Sequence, residues 1–193
     1  FLLYALDFSI IIIGFSKDNS ENSQNIQINS VANVSENISS DQPPQEHELA
    51  HYSTKLSGDT NRRTNIKLSC QAINGTIVEP GQTFSFNQVV GNPTSDKGYL
   101  EADVIINDRI SKGIGGGNCQ VSSTLYNAAL ESNNIEIIER NNHGKKVSYV
   151  PEGKDAAVAY GKLDMKFKNN TGSKIKLYMS SDDNNVYAKI VSL

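Results

Sequence analysis

A run of glycines feeds straight into a helix-forming stretch at Gly113-Ile114-Gly115-Gly116-Gly117-Asn118-Cys119-Gln120-Val121-Ser122-Ser123-Thr124-Leu125-Tyr126. No other segment limits the fold as tightly. Without a Cβ, glycine lets the backbone turn sharply and lie close to whatever it faces, a substrate included. Beyond the turn, Val121, Leu125, Ala128, Ala129 and Ser132 recur at helical spacing. The expected helix runs from about residue 119 to 131 and stops at Asn133-Asn134. Its first turn carries Cys119, where the unsatisfied amides of a helix start place partial positive charge and favour thiolate over thiol. A nucleophile is often built this way.

The flanking segments supply the rest of a domain. Over residues 60–74, Ile66, Cys70 and Ile73 fall at i, i+4 and i+7, one face of an amphipathic helix. Thr60 or Asn61 is the expected cap, and Asn74-Gly75 the stop. Strands are expected at 76–78, 83–86, 102–107, 135–140, 146–150, 165–168, 174–179 and 185–191, the last two joined as a hairpin through Ser181-Asp182-Asp183-Asn184. Two main helices followed mostly by antiparallel strands read as one compact α+β domain over residues 49–193.

What precedes that domain is different in kind. Residues 1–15, FLLYALDFSIIIIGF, are apolar except for Asp7 and Ser9. As a helix they span about 22 Å, against a hydrocarbon core of ~30 Å, and are expected to be the remnant of a signal or anchor segment contacting a membrane. Residues 16–48 are dominated by Asn, Ser, Gln, Asp and Glu without hydrophobic periodicity. Such a stretch buries too little surface to offset its ordering entropy, so a disordered linker is expected. Its sequons, Asn33-Val34-Ser35 and Asn37-Ile38-Ser39, carry little weight in so Asn- and Ser-rich a tract. Anchor, polar linker and compact domain together have the layout of an extracytoplasmic protein.

Charge and composition exclude other classes. The net charge of -3 divides into -6 over residues 1–48, with seven acidic side chains and one basic, and +3 over the remainder, with 17 basic and 14 acidic. No basic run appears and aromatics are only 7% of the chain, so a nucleic-acid binder is not indicated. The glycine run lacks the Lys-Ser/Thr of a phosphate loop. Two distant cysteines and three dispersed histidines match no zinc spacing, and neither metal nor other cofactor is expected.

Cys119 is the expected nucleophile, whereas Cys70 occupies a core position of its helix. A disulfide between them would block the nucleophile. Of the imidazoles, His47 and His51 flank the linker boundary and read as surface residues. His143, in Arg140-Asn141-Asn142-His143-Gly144, is the expected general base, in the Cys-then-His order of many thiol enzymes. Asp155 or Asp164 would orient it by accepting the second ring N–H, and Asp155 is preferred. Backbone amides around Gly116, Gly117 and Cys119, with Gln120, are expected to hold a developing oxyanion. Ser122, Ser123 and Arg140 complete the expected substrate contacts.

Several blocks together resemble the VanW family, named from a vancomycin-resistance cluster: Arg63-Thr64-Asn65-Ile66, Pro80-Gly81-Gln82-Thr83-Phe84-Ser85-Phe86-Asn87, Gly115-Gly116-Gly117-Asn118-Cys119-Gln120-Val121-Ser122-Ser123-Thr124-Leu125-Tyr126-Asn127, Glu139-Arg140, His143, Tyr149-Val150-Pro151 and Gly153-Lys154-Asp155-Ala156. The resemblance covers about residues 50–180. It implies a bacterial envelope protein, anchored or secreted, with some members resembling L,D-transpeptidases. In these a cysteine takes an acyl group from a peptidoglycan stem peptide and passes it to the amine of a neighbouring stem. Two positions depart from the family pattern. Asn118 stands where an apolar residue is usual, and Gly144 where a serine usually follows the histidine. The resemblance thus implies a cysteine acyl-transferase acting on peptidoglycan stem peptides. A thiol peptidase, or a non-catalytic module binding stem peptides or a glycopeptide, are the rival readings.

Overall fold

The computed structural model describes residues 45–106 and 109–193. The expected anchor at 1–15 and nearly all of the expected linker lie outside them. The described residues begin with β1 (His47–Lys55), followed by α1 (Thr60–Ile73), β2 (Ile77–Val78), β3 (Thr83–Ser85) and a short α2 (Phe86–Val90). A hairpin of β4 (Glu101–Ile106) and β5 (Arg109–Ile114) leads into α3 (Asn118–Glu131). Then come β6 (Ile135–Glu139), β7 (Lys166–Asn169), β8 (Ile175–Ser181) and β9 (Asn185–Ser192). The architecture is α+β, with every named strand pair antiparallel.

Three sheets result: four strands in the order β1-β9-β8-β2, three in the order β3-β7-β6, and the β4-β5 ribbon alone. The β8-β9 turn forms where expected, because one carboxylate oxygen of Asp182 accepts from the Asn184 and Asn185 N–H groups at 2.7 Å each. Helix α1 packs on β8 and α3 on β1 and β9, with the two helices also touching each other. Between these layers lie Ile66, Ile73, Leu125, Phe167, Leu177 and Ile190, all fully buried. Phe84 stacks on Phe167 with ring centroids 4.8 Å apart.

Helix α3 is enclosed nearly all round, although its middle is polar. Ser122, Ser123, Thr124 and Asn127 are all buried. Small side chains let the neighbouring elements come close. Most of the polarity is satisfied within the helix, since Ser123, Thr124 and Asn127 each donate 2.7 Å hydrogen bonds to the carbonyl one turn back. Ser122 is the exception, its hydroxyl finding no partner among the described residues.

Several boundaries differ from expectation. Asp59 caps α1 by accepting from the Arg62 N–H at 2.9 Å, and Thr60 is already helical. The presumed linker boundary at 48 falls inside β1, whose His47 pairs with Ser192. Residues 109–114 form a strand against β4 that the sequence did not announce. The expected strand at 146–150 does not form. Val147 and Val150 are buried there, but the segment pairs with no strand and runs along the mouth of a cleft.

Candidate functional site

Gly117 caps α3 in a left-handed conformation, φ +116°, which makes Cys119 the second residue of the helix. The glycines line the cleft, and their missing side chains also serve the packing behind it. A Cβ on Gly116 would stand 2.5 Å from the Asp103 carbonyl oxygen and 2.9 Å from the Ala102 Cβ. One on Gly117 would meet the Ile66 side chain at 2.8 Å. The missing side chains are therefore needed to seat the turn between β4 and α1. Asn65, fully buried, fastens that seat: its amide donates to the Leu100 and Gly116 carbonyls at 2.9 and 3.0 Å and accepts from the Leu100 N–H at 2.8 Å. Ser69 donates to Asn118 at 2.7 Å, so the polar residue at 118 is held from α1.

The Cys119 sulfur lies against residue 158, 3.5 Å from both the Val158 N–H and the Val158 carbonyl. The carbonyl suits a thiol and the N–H a thiolate. Among the described residues the Cys119 N–H itself has no hydrogen-bond partner. An open amide beside a sulfur is the kind of donor that can hold an oxyanion.

His143 lines the same cleft as Cys119. Its Nδ1 is 2.7 Å from Asp155 Oδ2, and its own backbone N–H donates to the same oxygen at 2.6 Å. An ionised carboxylate only accepts, so Nδ1 carries a proton and Nε2 is the nitrogen left for Cys119. Arg140 braces the carboxylate, with one terminal N–H donating to Oδ1 at 2.8 Å and Nε–H to the Asp155 backbone carbonyl at 2.6 Å. Its guanidinium also lies over the Tyr126 ring.

The electrostatics follow from this packing. Burial opposes a charged imidazole, yet the nearby Cys119 and the hydrogen-bonded Asp155 outweigh it and hold His143 above its ordinary value. Burial likewise works against the Asp155 carboxylate, but the His143 N–H, its ring and Arg140 hold that carboxyl below its ordinary range. His143 and Asp155 thus form a hydrogen-bonded pair on the side of the cleft that holds Cys119. All three come from different segments, and Asp155 lies on the loop that also presents Val158.

Cys119 and His143 open into a cleft of about 700 Å³. Arg62 and Tyr149 line its polar side, while Val104 and Ile110 of the β4-β5 ribbon line its apolar side. Arg62 donates to the Ser57 carbonyl and to the Gln120 side-chain oxygen, both at 2.7 Å. Burial pushes its guanidinium down, against the raising influence of Tyr149 and Cys119. The Tyr149 phenol is pushed up, by burial first and then by the neighbouring Cys119.

The remaining expectations divide. Gln120 is buried, with its amide donating to Thr54 and the Lys55 carbonyl at 2.9 and 2.8 Å, so it ties α3 to β1 and has no free group for substrate. Ser122 and Ser123 are fully buried, and Ser123 accepts from the Ala156 N–H at 2.8 Å, holding the Asp155 loop on the helix. Arg140 is occupied with Asp155. These residues support the site from behind. Asp164, the alternative orienting acid, is engaged elsewhere, accepting from Ser85, Asn87 and Met165 at 2.6, 2.9 and 2.8 Å. His51 is exposed and pairs with Glu48. Both cysteines are free, and burial pushes the Cys70 thiol up to about 12.

Arg62 and Tyr149 were not anticipated. Arg62 had a readable signal, standing four residues before Ile66 on the apolar stripe of α1, an odd place for a cation. Tyr149 had only its place in a family-like block, because the segment that carries it is irregular.

The family described as VanW like protein matches residues 61–191. The chain is 44% identical over 136 residues to the uncharacterized protein YoaR of Bacillus subtilis, an alignment covering 66% of this chain and 45% of that protein. It is 30% identical over 135 residues to the vancomycin B-type resistance protein VanW of Enterococcus faecalis, covering 67% of this chain and 49% of that one. The chain thus spans about half the length of the curated relatives it matches. No solved structure matches it. With the family match running from α1 to β9 through the whole Cys119 site, this chain belongs to the VanW family.

Proposed function

We propose that this protein is an extracytoplasmic cysteine acyl-transferase acting on peptidoglycan stem peptides, in the manner of an L,D-transpeptidase. The observation that carries the reading is that Cys119 shares an open cleft with His143, whose ring is hydrogen-bonded to Asp155. The vancomycin-resistance name of one relative supports a cell-wall setting. The apolar segment at 1–15 supports attachment to a membrane.

In this mechanism Nε2 of His143 takes the Cys119 proton as the sulfur attacks the acyl carbon. The oxyanion turns to the open Cys119 N–H. Collapse of the tetrahedral intermediate breaks the C–N bond, and the departing amine takes the proton from His143. An amine of a second stem then attacks the thioester, gives its proton to His143, and releases the Cys119 thiolate as the new amide forms. Asp155 fixes the ring and shields its positive charge throughout, and Arg140 fixes Asp155.

The test is incubation of the purified protein with stem peptides, read by mass spectrometry. Cross-linked dimers and a thioester on Cys119 are expected. Shortened monomers alone would instead identify a thiol peptidase. Survival of turnover in Cys119→Ala would remove the catalytic reading and leave a binding module. His143→Ala should slow acylation by about 10²–10⁴-fold, the usual contribution of a general base.

A further inference from the structure

We propose that Arg62 is the carboxylate anchor of this site, binding the free C-terminal carboxylate of the acyl donor beside Cys119. The inference rests on the acyl-transfer reading for its substrate class, and on Arg62's own surroundings for its chemistry. Among the described residues no carboxylate pairs with this guanidinium. Asp59, the neighbouring acid, spends Oδ1 on capping α1. The partners Arg62 does have are neutral oxygens, the Ser57 carbonyl and Gln120. They fix the position of the group without neutralising it and leave part of its five-donor fork unused.

The side chain is also held rigidly. A Cβ on Gly58 would stand 2.7 Å from the Arg62 Cδ, so only a glycine at 58 leaves room for it to lie as it does. Partial burial of a cation without an acid carries a cost, which the anion of a ligand offsets. Guanidinium suits a carboxylate because its planar fork can donate two parallel hydrogen bonds. Arg62 faces the same cleft as Cys119 and is near enough for Cys119 and Tyr149 to influence it. A terminal carboxylate bound there belongs to the amino acid that leaves when Cys119 attacks. The attack forms the S–C bond and breaks the C–N bond, and the amino acid departs with the proton passed from the thiol through His143. The enzyme is therefore selective for donors cut close to a free C-terminus.

The test uses a synthetic stem tetrapeptide, L-Ala-γ-D-Glu-L-Lys-D-Ala, with either a C-terminal carboxylate or a C-terminal carboxamide. Binding of each is measured by calorimetry to the full-length Cys119→Ala protein, so that no chemistry intervenes. The carboxylate form is expected to bind about 10- to 100-fold tighter, as a charge-assisted pair implies. The preference should vanish in the double variant with Arg62→Gln and survive in part with Arg62→Lys. Equal binding of the two peptides by the Arg62-containing protein, no binding of either, or a preference that persists in Arg62→Gln, would each overturn the anchor. The peptide swap needs no change at Arg62, so a folding defect cannot mask the result. An Arg62-dependent preference accompanied by no thioester on Cys119 in the unmutated protein would sink the acyl-transfer reading while leaving the anchor in place.

Discussion

At the scale of single residues, the site is governed by what Asp155 does to one imidazole. Its Oδ2 receives both the ring Nδ1–H and the backbone N–H of His143, so neither the tautomer nor the ring orientation is free. His143 is held above its ordinary value, so its cation persists to higher pH than a free imidazole's. Because His143 must be neutral to take the Cys119 proton, its protonation sets the acid limb of activity. Asp155→Asn removes a carboxylate that raises His143, so the limb should move to lower pH and kcat should fall. A pH profile of kcat/KM for both proteins checks this, and an unmoved acid limb would exclude Asp155 from that role. Cys119, His143 and Asp155 were all legible in the sequence, because a cysteine after glycines, a turn histidine and a nearby acid are local signals. The roles of Gln120, Ser122, Ser123 and Arg140 were not. Whether a polar side chain faces a cleft or a neighbouring backbone is decided by tertiary packing.

At the scale of elements, α1 positions α3. Arg62, Asn65, Ile66 and Ser69 share one face of α1 and meet Gln120, Gly116, Gly117 and Asn118 in turn. Asn65→Ala leaves the Leu100 N–H and two carbonyls without their partner and should cost about 3 kcal/mol, at roughly 1 kcal/mol per lost bond. Gly116→Ala forces a methyl against the Asp103 backbone and should destabilise by about 1–3 kcal/mol. Urea titration of each variant measures both, and a change within about 0.5 kcal/mol, as at an ordinary surface site, would contradict the seat described for this turn. The two long helices were legible from their 3.6-residue periodicity and β8-β9 from its turn chemistry. Strand β1 was hidden because its sequence HELAHYSTK buries only Thr54. Strand β5 was hidden because it lies exposed on a ribbon. The segment at 146–150 misled because Val147 and Val150 are buried for a reason other than sheet pairing.

At the scale of the whole molecule, the domain is larger than the family match. That match begins at residue 61, but β1 pairs with β9 along its length and receives the Gln120 side chain from α3. A protein starting at Ser57 should therefore melt at least ~5 °C below one starting at Gln45, since a 1 kcal/mol loss alone moves a domain of this size by ~2–4 °C. Thermal unfolding followed by circular dichroism decides it, and equal midpoints would show β1 to be an accessory.

The two thiols differ in a way that has a practical use. Cys70 is 2% exposed with its thiol pushed up to about 12, while Cys119 opens into the cleft. A mild alkylating reagent under native conditions should add one label per chain, and under denaturing conditions two. The first number counts intact sites directly, so a preparation can be standardised by its competent fraction before any substrate is known.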